Sequence, residues 1–374
     1  MIRATTNGVL KGYRSNLMTS FVKLNSARNT VLSQRNFNTY AEDPAAASQC
    51  FQIRRSFQRV STQMTLSDAT MHKYETAYSA LEKVVGMVDN EADDSALAAA
   101  LRAANKPTGA GRTALGKELM ELSDSIVQSM NSKYGDVFTF AGADGHNVPF
   151  TWETGADGAR QLCYRGVPVD VSVPEPIYAD PDDPTSAVTN QDEIDKAKEQ
   201  LAKLDYMSGE SRFVDIGIGL QEHNGELIKA SAFNDALQGI NFLGYGVDKN
   251  GDSDNIASII NRMGQILSNC KEDSGEWGSD EDMAEYQRLA EKFDDVAAEL
   301  KKNHVELSTR ALFLKNNHDQ LKTTANTLNT QFLDIEQCDL ADAITSFSWA
   351  QYCYNAALKV GNSILSQSLM DYLG

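Results

Sequence analysis

Three residue groups in this 374-residue chain have types and spacing that could do chemistry. Gly111-Arg-Thr-Ala-Leu-Gly116-Lys117 has the spacing of a loop that cradles phosphates with backbone N–H groups and a lysine. Glu118 stands where a Ser or Thr hydroxyl must reach magnesium, however, no strand precedes the segment, and a helical apolar stripe begins inside it. Asp248, Asn250, Asp252 and Asp254 alternate like the first ligands of a calcium loop. Position six is Ser253 instead of glycine, and Ile259 replaces the glutamate of position twelve, so the segment reads as a solvated turn. His304 and His318 lie two heptads apart on one helical face. They read as polar seam residues that tune register, with a loosening of the packing by protonation as the sharper alternative. GxSxG and HExxH are absent. Five cysteines (Cys50, Cys163, Cys270, Cys338 and Cys353) are an odd number without CxxC spacing, which indicates neither a disulfide frame nor a zinc site. The expectation is a chain with no catalytic residues, no cofactor and no metal.

Composition narrows the class further. The chain is 41% hydrophobic and 8% aromatic, with a net charge of −18 and a pI near 4.7. Such acidity disfavours nucleic acid and anionic membrane surfaces as partners. The charge is unevenly placed: residues 1–60 carry nine Lys/Arg against Glu42 and Asp43, whereas residues 334–374 carry five acids against Lys359. Opposite signs at the two ends favour their pairing. No stretch approaches the ~18 apolar residues of a membrane span. Met1–Leu10 holds one Arg and no apolar run of the signal-peptide kind, which alone predicts a cytoplasmic protein.

The elements that must position any functional residue are helices. From Ala46 to Val88 apolar residues recur in steps of four and three, including Ile53, Phe57, Val60, Met64, Leu81 and Val85. From Leu300 to Ile335 the same beat runs through Leu307, Leu314, Leu321, Leu328 and Phe332. A 3.5-residue spacing held this long is a coiled-coil seam that no helix can bury alone. Folding the chain back into a helical rod solves this, and a rod suits an assembly part better than a catalytic pocket. A first helix is predicted over Thr6–Ser33, with Leu10, Tyr13, Leu17, Phe21, Leu24 and Val31 on one stripe. Asp43-Pro44 starts the second helix. After a bridging stretch in which Asp94 or Ser95 supplies a cap, a third runs from about Thr113 to Ser132.

Six of the eight prolines fall between Pro149 and Pro184, so the middle is not helical. Strands are predicted at Val137–Phe140, Leu162–Val173 and Phe213–Leu220, and Asn224-Gly225 signals a hairpin. Tyr178–Thr189 reads as a loop. Helix resumes at about Asn255–Ser268. The last helix, about Asp339–Tyr372, carries Ile344, Phe347, Tyr354, Leu358 and Leu365 on one stripe. Residues 1–40 and 338–374 are expected to be largely disordered in a monomer, because ordering the backbone costs roughly 1–2 kcal/mol per residue and their stripes lack a large partner.

Val31-Leu-Ser-Gln-Arg-Asn-Phe-Asn-Thr-Tyr-Ala-Glu-Asp-Pro-Ala-Ala-Ala-Ser-Gln49 resembles the flagellin-family signature: a helix ending in a Leu-Ser-Gly-like turn, an acidic pair, then a long helix. Gln34 stands where the family usually has glycine. Asp43-Pro44 and Phe138-Thr-Phe-Ala-Gly142 with Pro149-Phe150 look like the hook-associated branch that joins hook to filament. Ala343–Gln351 and Ile364–Leu369 match the family's C-terminal helix. The resemblance covers roughly 1–150 and 280–374.

It implies a mainly α fold: a flagellin-like rod of long N- and C-terminal helices packed as coiled coils, with a central β-containing insertion. The implied divisions are 1–42 with 336–374 lining a tube, 43–139 with 276–335 as a middle shell, and 140–275 as an outer β-rich domain. It implies a structural subunit of the bacterial flagellum at the hook–filament junction, with filament flagellin as the alternative. A soluble coiled-coil binding protein or nucleotide-using enzyme is the remote one. The implied partners are other copies in a ring or tube, a neighbouring hook-associated protein, flagellin, and an export chaperone on the C-terminal helix. Type III export without a cleaved signal would make the protein extracellular, against the cytoplasmic reading.

Overall fold

A computed structural model describes residues 6–89, 95–105, 109–155, 160–178, 188–270 and 277–373. The chain is mainly α-helical with small antiparallel sheets in its middle. Helices α1 (Thr6–Ser33), α2 (Pro44–Val88), α3 (Ala96–Asn105) and α4 (Gly109–Met130) come first. Strands β1 (Lys133–Tyr134), β2 (Val137–Phe138), β3 (Ala141–Gly142), β4 (Phe150–Thr154), β5 (Arg160–Tyr164) and β6 (Val167–Pro168) follow. Helix α5 (Gln191–Ser208) then precedes β7 (Phe213–Val214), β8 (Glu222–His223), β9 (Glu226–Leu227), β10 (Phe233–Asn234) and β11 (Leu237–Gln238). The chain closes with α6 (Gly239–Leu243), α7 (Ile256–Ser268), α8 (Asp280–Glu336) and α9 (Leu340–Leu373).

Side-chain oxygens start the helices by accepting first-turn N–H groups. Asp43 Oδ1 accepts from Ala45 and Ala46 at 3.1 and 3.0 Å, and Ser95 Oγ from Ala98 at 3.2 Å. Asn255 Oδ1 accepts from Ala257 and Ser258 at 3.0 and 3.2 Å. Asp94, the other candidate cap before α3, lies outside the described residues.

Contacts divide the chain into two compact units: Met1–Thr62 with Gln320–Gly374 (unit 1), and Gln63–Asp319 (unit 2). Unit 2 holds a large apolar core. Leu81, Leu307 and Leu314 are fully buried in it beside Leu119 and Ile126 of α4 and Ile260 and Met263 of α7, and Val85 packs against it. Within it α4 and α7 meet at two glycines. A Cβ at Gly116 would lie 2.7 Å from Gly264 O, and one at Gly264 would lie 2.7 Å from Gly116 O. The glycine that lends residues 111–117 the look of a phosphate loop is thus where a neighbouring backbone passes.

A polar cluster anchors the strands to α2. Lys73 Nζ donates to Asp235 O at 2.7 Å and Oδ1 at 3.2 Å, and the Arg212 guanidinium pairs with the other carboxylate oxygen. Burial pushes the Lys73 ammonium below its ordinary pKa while Asp235 pulls it back up. Breaking one partner would leave a buried charge exposed to a low dielectric.

Three helices and several strand limits differ from the sequence reading. Helix α3 replaces the bridging stretch, and α5 and the short α6 occupy segments with no element assigned. The alternation Val214, Ile216, Ile218, Leu220 is not one strand. Pairing stops at Val214, and Gly217 and Gly219 adopt φ of 87° and 100°. Only Ile216 is buried, while Ile218 and Leu220 remain over 40% exposed. The strand at Leu162–Val173 breaks into β5 and β6 because Arg165 and Gly166 form a turn with φ of 51° and 78°. The Val137–Phe140 strand ends at Phe138. Asn224-Gly225 does form its hairpin, with both residues at positive φ. Most of the Tyr178–Thr189 loop lies outside the described residues.

Gly116→Ala and Gly264→Ala should each lower the stability of the chain by about 1–3 kcal/mol, because overpacking a closed crossing forces backbone apart. A drop in the urea midpoint with unchanged slope measures it; wild-type midpoints for both would refute the close crossing.

Candidate functional site

Unit 1 brings the two ends of the chain together. Helices α1 and α9 pack over their length: Phe21 and Tyr354 rings lie 5.9 Å apart. The contact is close at Gly361, where a Cβ would fall 1.9 Å from Tyr13 Oη. At the other end, Cys338 N donates to Gln34 O at 3.1 Å and Asn36 N to Glu336 O at 2.8 Å. The Asn36 amide adds bonds to Ile335 O and Gln337 O, both 3.0 Å. Glu336 faces Arg35 at 3.4 Å and Arg54 at 3.8 Å, and the Arg54 guanidinium also lies over Phe332 at 4.9 Å.

Gln34 makes this junction possible by leaving α1 in the left-handed region, φ 56°. A turn usually served by glycine is therefore made by a residue with a Cβ, which stores strain.

Unit 1 has little interior. Among its described residues the buried apolar side chains are Cys50, Val60, Leu321, Ala325 and Ala343. Burial and Glu336 push the Cys50 thiol above its ordinary pKa, which suits an inert packing residue. Of the seam residues, Ile53, Phe57, Leu328 and Phe332 are half-buried in unit 1, and Met64 is half-buried in unit 2. Of the terminal stripes, Leu10, Tyr13, Leu17, Leu24, Val31, Phe347 and Tyr354 are half-buried, while Phe21, Ile344 and Leu358 are exposed. The side chain of Leu365 lies outside the described residues.

A second apolar set, which the stripe reading missed, is more exposed still. Leu32 is 74% exposed, Tyr352 68%, Trp349 64% and Met18 61%, with Val22 and Val360 above half. Its signal was present in the i, i+4 pair Met18/Val22 and the i, i+3 pair Trp349/Tyr352, a second face on each helix. Trp349 and Tyr352 pack edge to face at 6.0 Å, presenting one aromatic block to solvent. A groove of about 630 Å³ between α1 and α9 runs beside Trp349, floored by Ala27, Ser346 and Ala350.

The chemistry-bearing motifs are placed elsewhere. Residues 111–117 lie inside α4, and Glu118 pairs with Arg102 at 3.2 Å. In the calcium-like loop a lysine serves the aspartates. Lys292 Nζ lies 3.0 Å from Asp248, 2.8 Å from Asp254 and 2.6 Å from Asp252 O, and Arg288 holds the Asp252 carboxylate. Burial raises the Asp248 carboxyl, but Lys292 and two backbone amides outweigh it and hold it below its ordinary pKa. His304 stacks on Tyr78 at 4.7 Å; its Nε2 and the Nδ1 of His318 are buried without partners. Among the described residues no group of three or more His, Cys, Asp or Glu is placed to hold a metal, and no helix is long and apolar enough to cross a membrane.

No family model matches the chain, and no curated protein matches it. Among solved structures, one provisionally described as a flagellar hook-associated protein from Vibrio parahaemolyticus aligns with 79% of this chain and 100% of its own, at 14% identity and a TM-score of 0.45.

Gln34→Gly should relieve the left-handed strain and slow amide exchange at the Gln34–Cys338 junction, by about 1 kcal/mol of local stability. Faster exchange there in the variant would mean that Gln34 makes a stabilising contact outweighing its backbone strain.

Proposed function

We propose that the chain is a non-enzymatic structural subunit of the bacterial flagellum that polymerises through α1 and α9 and joins hook to filament. The observation that carries this reading is a pair of long terminal helices with almost no interior and with Trp349, Tyr352, Met18 and Leu32 open to solvent. Surfaces of that kind are interface cores awaiting a partner, since aromatic residues and Met are enriched there. The partner that presents matching faces is another copy, which a small-residue groove beside Trp349 can receive. The residues from Val31 to Gln49 and the Phe138–Phe150 segment give the flagellar assignment and its hook-associated branch.

In this reading residues 1–42 with 336–374 line the tube, 43–139 with 276–335 form the shell, and 140–275 face outward. The terminal stripes, Leu10 to Val31 and Ile344 to Leu365, make the self-assembly contacts, and the seam from Ile53 to Val85 with Leu307 to Phe332 stiffens the rod. Export is unprocessed, through the flagellar type III channel, with a chaperone covering the apolar face of α9 until assembly. The neighbours are a second hook-associated protein on one side and flagellin on the other. Filament flagellin is the second reading, favoured by the C-terminal helix, which does not separate the two branches.

Deleting the gene should leave bare hooks, with unpolymerised flagellin released into the medium. Bare hooks or short filaments without released subunits would instead assign the chain to the filament, and normal filaments would end both readings. Leu358→Asp alters a residue that is 42% exposed, so the chain should still fold and be exported but fail to incorporate. In a hydrogen-exchange comparison, α1 and α9 amides should exchange rapidly in the monomer and become protected on assembly; strong protection in the monomer would show that the helix pair is stable without neighbours.

A further inference from the structure

Charge divides this chain as sharply as contacts do. Unit 1 holds eleven Lys/Arg against seven Asp/Glu, so it is basic, and unit 2 carries the whole of the net −18 and more. A protein whose units differ in sign this far attracts its own copies, provided each unit offers an exposed face to meet the other.

Both faces are present. On α2, Phe51, Arg55 and Arg59 follow one another at one-turn spacing and share a face. All three are exposed, Phe51 at 70%. Neither arginine has an ion-pair partner among the described residues, whereas Arg54, on the flank, is engaged by Glu336 and Phe332. On α8, Glu291 and Asp294 stand one turn apart, and Val305 and Leu312 continue the same face about three and five turns beyond Asp294. All four are exposed, the two aliphatics by more than half, and neither acid has an ion-pair partner among the described residues. Lys302, which interrupts this face, is paired with Glu299 at 2.9 Å.

We infer that the α2 face of one copy docks on the α8 face of a second copy, with Phe51 against Val305 and Leu312 and with Arg55 and Arg59 toward Asp294 and Glu291. The spacing matches. At about 1.5 Å per residue, Arg59 lies about 12 Å along α2 from Phe51, and Asp294 about 16 Å along α8 from Val305. Seating Phe51 on Val305 therefore leaves a gap between the charges that a long arginine side chain covers. An exposed aromatic ring beside arginines has the composition of an interface centre. Each copy offers one face of each kind, so the contact can repeat from copy to copy. This contact rests on the reading of the chain as a self-assembling subunit, and adds charge steering to the apolar faces of α1 and α9.

The test is sedimentation velocity of the full chain at low ionic strength and in about 0.5 M salt, where charges are screened within a few ångströms. The wild-type chain should associate about tenfold more strongly in the first than in the second. Arg55→Glu/Arg59→Glu and Glu291→Lys/Asp294→Lys alter exposed side chains only. Each variant should melt like the wild type but, alone and at low salt, associate about tenfold more weakly. An equimolar mixture of the two should associate at wild-type strength, because each α2 then faces an α8 of opposite sign. Association indifferent to salt, wild-type association of either variant alone, or no recovery in the mixture would each overturn the contact. So would a chain that stays monomeric at low salt; if that chain bound vesicles of anionic phospholipid, the α2 face would belong to a membrane instead. Bare hooks on gene deletion, together with unimpaired association of the charge-reversed chains, would remove this contact and leave the flagellar reading standing. Salt-sensitive, charge-reversible association of a chain whose deletion leaves filaments normal would do the reverse.

Discussion

The junction of Gln34 and Asn36 with Glu336 and Cys338 is the constraint on which unit 1 depends. It closes a loop of about 300 residues, an entropic cost on the order of 5 kcal/mol for a flexible chain. Four hydrogen bonds and two ion pairs that share Glu336, at roughly 1 kcal/mol or less each, are about the size of that cost and leave little surplus. Folding of unit 2, with its continuous apolar core, removes part of the chain entropy that closure would otherwise cost, so the same contacts hold the ends together more firmly once the core is formed.

The same arithmetic explains where charge acts. Residues 1–60 are strongly basic and 334–374 acidic; among the described side chains of those acids Glu336 pairs with Arg35 and Arg54, and Asp339 accepts first-turn amides of α9. Lys11, Arg14, Lys23 and Arg28 are exposed on α1 without an ion-pair partner among the described residues. Charge complementarity of this diffuse kind steers the antiparallel pairing without locking it. The lock is local: Gly361 under Tyr13, and the strained turn at Gln34.

Legibility in the sequence followed the length of the pattern. Long periodic segments were readable nearly to the residue: Thr6–Ser33 and the start of α2 at Asp43-Pro44 needed only a stripe, a cap and a proline. Short elements were not. The stretch at Ala96–Asn105 is only ten residues long, and α5 lay hidden just behind the proline cluster that ends at Pro184, although Ile194, Ala197, Leu201 and Leu204 carry a helical beat. The alternation from Val214 to Leu220 misled because hydrophobic period says nothing of φ; two glycines at positive φ turned it into a loop. Most of the described stripe residues named from sequence are half-buried on α1 and α9, although Phe21, Ile344 and Leu358 are exposed, and the most open side chains of the pair, Leu32, Trp349 and Tyr352, sit on a second face that a single-stripe reading discards.

That second face bears on why assembly and folding can be separated in this chain. A helix with one apolar stripe must choose between burying it in its own molecule and offering it to a neighbour. With two, α1 and α9 can face each other through one and meet neighbours through the other, so the pair gains its full stability only when a partner arrives. The interior that unit 1 lacks is then completed by neighbours instead of by its own chain, and stability becomes a function of subunit concentration. Substitutions at Leu358 or Trp349 would act on that shared interior and leave the glycine crossing of α4 and α7 untouched.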